Sequence, residues 1–183
     1  IVESRDPYTA GHQQQVARIA GVIAQKMALP QDSVDAVRIS AALHDIGKIA
    51  VPSEILTKPG RLSHLEMEMV RTHPQNAYDI LKTIAFPYPI AQIILQHHER
   101  MDGSGYPQGL KDREILLEAR ILGIADVIEA MSSHRPYRPA MGIDAAIAEI
   151  AGCRGVLYDP AVVDACLDIY KGEGQKGFLQ LQA

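Results

Sequence analysis

Apolar positions in this chain recur at three- and four-residue steps almost from end to end, the period of helices rather than of strands. Val16, Ile19, Ala20, Ile23, Ala24 and Met27 mark an amphipathic helix running to about Leu29-Pro30. Val34, Val37, Ala41 and the run to Ile46 predict a second, stopped by Gly47 and then Pro52. Leu65, Met69, Val70, Ala77, Ile80, Leu81 and Ile84 predict a third, longer helix that ends at Pro87-Tyr88-Pro89. Ile90, Ile93 and Ile94 place a fourth, carrying into His97 and His98. Turn formers crowd the stretch from Asp102 to Gly109, which is a loop. A strongly apolar fifth helix covers about 115–131, and Arg135-Pro136-Tyr137-Arg138-Pro139 breaks the pattern. Two more follow over about 143–151 and 160–170, the last with Asp159 placed to cap it and Pro160 at its first position. No alternating run of useful length occurs. The expectation is an all-α fold, one compact bundle of about seven helices over residues 1–171, with a flexible tail over 172–183.

Composition narrows the class. Of 183 residues, 47% are apolar and 22% charged, so a core is affordable and a disordered chain is excluded. The formal charge of −4 argues against a DNA- or RNA-coating protein, since no basic excess is available to release counterions. It leaves room for a small phosphorylated ligand held by a few cations. Two cysteines, Cys153 and Cys166, rule out a disulfide framework and read as small buried hydrophobes. No apolar run approaches the roughly 20 residues of a membrane span, and no signal peptide is visible, so a cytoplasmic location is expected. The chain opens on Ile1 rather than Met, and a longer parent protein is expected.

The informative residues are polar groups on apolar helical faces. His73 shares a stripe with Met69, Val70, Ala77 and Ile80, and His97 and His98 stand four after Ile93 and Ile94. Asp126 stands four after Leu122, inside the otherwise uncharged run from Ile121 to Ile128, and His44-Asp45 follows Ala41-Ala42-Leu43 directly. One such histidine is usually a hydrogen-bonded core residue. Five of them (His12, His44, His73, His97 and His98) with Asp45 and Asp126, at the inward faces or ends of four helices, are satisfied together by one multinuclear metal centre. Imidazole and carboxylate without thiolate suit Fe, Mn, Ni, Co or Zn, and seven ligands exceed what one ion uses, so at least two ions are implied. Paired metals about 3.5–4 Å apart are a standard arrangement for hydrolysing phosphate esters, and Lys48 is placed to neutralise charge developing on the phosphate.

His44-Asp45-Ile46-Gly47-Lys48, followed by His97-His98-Glu99-Arg100-Met101-Asp102-Gly103-Ser104-Gly105-Tyr106-Pro107, resembles the HD-GYP family of cyclic di-GMP phosphodiesterases, a branch of the HD-domain phosphohydrolases. Arg5 to His12, Ile55 to Gly60, Ala119 to Leu122 with Asp126, and Arg135 to Arg138 add to the likeness, which covers about residues 5–170. It implies an HD-type helical bundle whose metal ligands are His12, His44, Asp45, His73, His97, His98 and Asp126. Asp45 would be the bridging carboxylate, with Lys48 at the scissile phosphate. Tyr106 of the Gly105-Tyr106-Pro107 motif, with Arg135 and Arg138, would hold the dinucleotide's phosphates and bases, arginine being able to grip phosphate bidentately.

Two positions depart from the family pattern. Members with three metals carry a Glu four residues before the first metal histidine, where this chain has Tyr8, so two divalent ions are expected, Fe or Mn first and Ni, Co or Zn next. Glu129-Ala130-Met131 stands where the family has Asp-Ala-Leu, and Glu129 is expected at a guanine edge of the substrate. The activity implied is hydrolysis of cyclic di-GMP to pGpG, and onward to GMP. Two rivals accompany it: a phosphodiesterase for another cyclic dinucleotide such as cyclic GMP-AMP, and a weakly active signalling module docking GGDEF-type diguanylate cyclase domains through the Gly-Tyr-Pro loop. An N-terminal sensory domain, or a receiver of the two-component response-regulator type, is the expected neighbour in the longer parent.

Overall fold

The computed structural model describes residues 11–133, 140–174 and 176–179. Its helices are α1 (His12–Lys26), α2 (Gln31–Leu43), α3 (Ser53–Leu56), α4 (His64–Val70), α5 (His73–Leu81), α6 (Ile90–Gln96), α7 (Leu117–Ser132), α8 (Ile143–Gly152), α9 (Pro160–Glu173) and α10 (Lys176–Leu179). Short 3-10 turns cover Ile46–Ala50 and Asp112–Glu114. Among the described residues there is no strand, only an isolated bridge between Arg154 and Tyr158. The all-α expectation holds.

Eight of these helices have seven residues or more, against about seven expected, because the long third helix is two. In a continuous helix the amide of residue 74 would donate to the Val70 carbonyl. Pro74 has no N–H, and its ring would collide with that oxygen, so the chain turns at Arg71-Thr72. The Val70 carbonyl instead accepts from His73 Nδ1 at 2.8 Å. The break in the helix and the placing of His73 are one event.

The axis of the bundle is α7, buried at Ala119, Ile121, Leu122, Gly123, Ile124, Ala125, Ile128 and Glu129, as its nearly all-round apolar sequence requires. Around it pack α1, through Val16, Ile19, Ala20, Ile23 and Ala24; α2, through Val34, Val37 and Ala41; and α6, through Ile93 and Ile94. Full burial of such a side chain contributes about 1.5–3 kcal/mol. Asp159 caps α9 by accepting from Ala161 N at 2.7 Å, and its other oxygen takes Arg120 at 2.7 Å, which ties α9 to α7. The flexible tail expected from residue 172 does not hold for its described part. The helix α9 runs on to Glu173, and α10 returns Phe178 to the core at 1% exposure.

Candidate metal centre

Three of the site's histidines are set by one local device. His44 follows the end of α2, His97 follows the end of α6, and His73 stands just beyond α4. Each Nδ1 reaches back to the carbonyl three residues earlier: His44 to Ala41 at 2.6 Å, His73 to Val70 at 2.8 Å and His97 to Ile94 at 2.6 Å. A carbonyl can only accept, so Nδ1 carries the proton and Nε2 presents a lone pair. These lone pairs face the interior of the bundle. His73 and His97 meet Nε2 to Nε2 at 3.5 Å, two acceptors with no proton to share. That opposition is repulsive unless a cation sits between them, and the residues fit a divalent metal on this ground.

Ligand-capable atoms fall into two groups, His73 with His97 and His98, and His12 with His44 and Asp126; within each, they lie within 4.8 Å of one another. Asp45 stands between. Its Oδ1 is 3.8 Å from His73 Nε2, while its Oδ2 is 3.7 Å from His44 Nε2 and 3.8 Å from His12 Nε2. Each group combines two buried residues with one half-buried residue, His98 or Asp126, so both open toward solvent at one edge. Lys48 donates to Asp45 Oδ2 at 2.8 Å from the 3-10 turn that follows α2. That turn presses against α5 because residue 47 is glycine: a Cβ there would lie 1.9 Å from the His73 carbonyl oxygen.

Charge in the site is decided by burial against neighbours. Burial holds His73 down at about 4 and His97 at about 3, and it drives His98 well below the usual imidazole range, so all three are neutral donors at pH 7. Burial pushes Asp45 the other way, but Lys48 and the surrounding imidazoles prevail and keep it ionised. For His12 burial is likewise opposed, by the Glu129 carboxylate with Asp126 and Asp45, and its pKa lies above the ordinary value.

Glu129 has a contact that the sequence reading did not assign to it. It is 5% exposed, one oxygen bonds His12 Nδ1, and the other accepts from Ser133 Oγ at 2.7 Å. One helical turn after Asp126 on α7, it lies behind the His12 ring. A carboxylate backing a metal-ligating imidazole orients the ring and raises its basicity. The only sequence signal for this role was that i, i+3 spacing.

The loop Gly105-Tyr106-Pro107 lies over the end of α6, with Tyr106 N donating to the His98 carbonyl at 3.2 Å. Gly105 allows this approach, since a Cβ there would lie 2.4 Å from the Arg100 amide nitrogen. Tyr106 stacks on His98 with ring centres 4.8 Å apart. Glu99, buried, fastens the loop by accepting from Gln108 N at 2.7 Å and Leu110 N at 3.0 Å, a role the sequence reading missed. Arg71, also missed, places its guanidinium 5.4 Å from the centre of the Tyr106 ring. Tyr8, Arg135 and Arg138 lie outside the described residues.

An all-helical bundle that brings together five imidazoles and Asp45 from helix ends, and Asp126 from the middle of α7, is laid out to bind divalent metal. The chain belongs to the HD domain family, a model of which matches residues 1–162, and the likeness to HD-GYP proteins read from the sequence holds. It is 44% identical over 168 residues to the cyclic di-GMP phosphodiesterase response regulator RpfG of Xanthomonas campestris pv. campestris, covering 91% of this chain and 44% of that protein. It is 42% identical over 148 residues to the 3'3'-cGAMP-specific phosphodiesterase 3 of Vibrio cholerae, covering 81% of this chain and 32% of that one. Among solved structures, Bd1817 of Bdellovibrio bacteriovorus, described as an HDG"Y"P protein, superposes with a TM-score of 0.69 at 19% identity, covering 88% of this chain and 52% of its own, and shares the fold. The chain thus spans less than half the length of the curated relatives it matches. No helix among the described residues is long and apolar enough to cross a membrane.

Proposed function

We propose that this chain is a metal-dependent phosphodiesterase domain that hydrolyses cyclic di-GMP to pGpG, with onward cleavage to GMP. One observation carries the reading: Asp45 turns one carboxylate oxygen toward each histidine group. His12, His44 and Asp126 are assigned to one divalent ion and His73, His97 and His98 to the other, with Asp45 shared, and Fe or Mn are the first candidates. Ni, Co or Zn suit the same donors. Bound there, the ions supply Lewis-acid polarisation of a phosphodiester and acidify water beside it.

The chain's own residues do the rest. The Nδ1 bonds hold the His44, His73 and His97 rings aimed, so ions enter a site already built. Lys48, poised at Asp45, offsets negative charge developing on the phosphate. Tyr106 keeps its proposed substrate-binding role at the open edge beside His98. Arg135 and Arg138 keep their proposed substrate-binding role.

The 3'3'-cGAMP-specific relative favours cyclic GMP-AMP as the second substrate reading. Docking of a GGDEF-type domain on the Gly-Tyr-Pro loop ranks lower, since the Tyr106 ring is engaged with His98 and leaves Pro107 as the exposed part of the motif. We keep a cytoplasmic setting and an N-terminal regulatory partner as part of the proposal. The test is incubation with Mn(II) or anaerobic Fe(II) and separation of products. Wild type should yield pGpG, and Asp45→Ala should lose more than the about 10–100-fold typical of an outer-shell change. Absence of product with either ion, or equal turnover by Asp45→Ala, refutes the reading.

A further inference from the structure

We propose that Arg71 binds the second, non-reacting phosphodiester of a cyclic dinucleotide, a substrate-positioning role that rests on the phosphodiesterase reading above. Arg71, Tyr106 and His98 form a continuous stack: the guanidinium lies 5.4 Å from the Tyr106 ring centre, and that ring lies 4.8 Å from His98. His98 is the half-buried member of its histidine group, so the stack leads from the metal cluster to solvent along the open edge.

The backbone fixes where Arg71 stands. It caps α4 at the break imposed by Pro74, and its amide donates to the Met67 carbonyl at 2.9 Å. Glu68 takes one guanidinium nitrogen at 2.9 Å, with both side chains 49% exposed. Among the described residues that is the guanidinium's one hydrogen bond, which leaves most of its fork of five N–H donors for a ligand.

Charge arithmetic supplies the need. A cyclic dinucleotide carries two phosphodiester anions, and one metal pair engages one of them at a time. The other must pass a rim that already includes Asp126, on a chain of formal charge −4. Lys48 is committed to Asp45 deep in the site, and Arg100 is turned away, over the Tyr158 ring at 5.4 Å. Among the described residues Arg71 is an exposed cation beside Tyr106, and a planar guanidinium takes a phosphate's two free oxygens side by side, which a lysine cannot.

The experiment compares Arg71→Ala and Arg71→Lys with wild type, all Mn-loaded, on two substrates: cyclic di-GMP and bis(4-nitrophenyl) phosphate, which has a reacting phosphodiester and no second phosphate. Arg71→Ala should raise KM for the dinucleotide about tenfold or more, with kcat within about twofold, and Arg71→Lys should recover part of the loss. Hydrolysis of the small diester should be unchanged. An unchanged dinucleotide KM overturns the inference, and so does an equal loss on both substrates, which would mean that Arg71 merely supports Tyr106 and His98. Those outcomes leave the phosphodiesterase reading intact. Wild type that cleaves the small diester but neither cyclic di-GMP nor cyclic GMP-AMP overturns both.

Discussion

Glu129→Gln separates the two histidine groups. The substitution keeps the length and one acceptor oxygen, so His12 can still donate from Nδ1, but the negative charge behind the ring is lost. In the wild type that charge acts in a buried setting, 5% exposed, and it is the foremost of the influences that lift His12 against desolvation. Its removal makes Nε2 a poorer electron donor. Loss of such a partner weakens metal binding about 10–100-fold, or about 1.4–2.7 kcal/mol. The effect should fall on the ion assigned to His12, His44 and Asp126. In the other group, His73 and His97 are oriented by the Val70 and Ile94 carbonyls. Calorimetric titration of apoprotein with Mn(II), fitted to two sites, measures both affinities. One should weaken by the stated factor and the other by less than about threefold. Equal weakening of both, or of neither, refutes the assignment of Glu129 to His12.

The same asymmetry sets the pH dependence of metal loading. Because the His12 pKa is raised, protons compete for it from above 6.5 downward, whereas His73 at about 4 and His97 at about 3 resist protonation. As pH falls from 8 to 5, the first ion should be lost while the second stays, which metal analysis after dialysis at stepped pH would read as a fall from two ions per chain to one. Gly47→Ala should force the 3-10 turn away from α5, since the new methyl would meet the His73 carbonyl oxygen at 1.9 Å. Overpacking of this kind costs about 1–3 kcal/mol, and here it should appear in the denaturant midpoint together with weakened metal binding, because Asp45 and His73 move apart.

Much of the site was legible because burying charge is expensive. Asp126 in the run from Ile121 to Ile128, and histidines on stripes of isoleucine, announce themselves against an apolar background. What stayed illegible depends on contacts across the fold. Glu129 shows only a spacing from Asp126, and nothing in the chain near residue 129 says that His12 will arrive behind it. Arg71 looks like a solvated cation until the Gly105 loop lays Tyr106 beside it. The break between α4 and α5 was readable in principle, since Pro74 stands four after Val70, but the continuous apolar stripe over Leu65 to Ile84 masked it. Phe178 was overlooked because glycines at 172, 174 and 177 surround it, and a single aromatic gives no period.

The backward reach of three imidazoles to their own helix-end carbonyls has a consequence for how this molecule acquires its ions. Those rings are already clamped by short-range bonds made as each helix terminates, so little side-chain freedom remains to be surrendered when a cation arrives. Loading is then closer to filling a socket than to organising one, and exchanging one transition metal for another should leave the bundle unaltered. Whichever ion the surroundings supply in excess takes the socket, with the ordinary ranking of affinities among first-row metals deciding the rest.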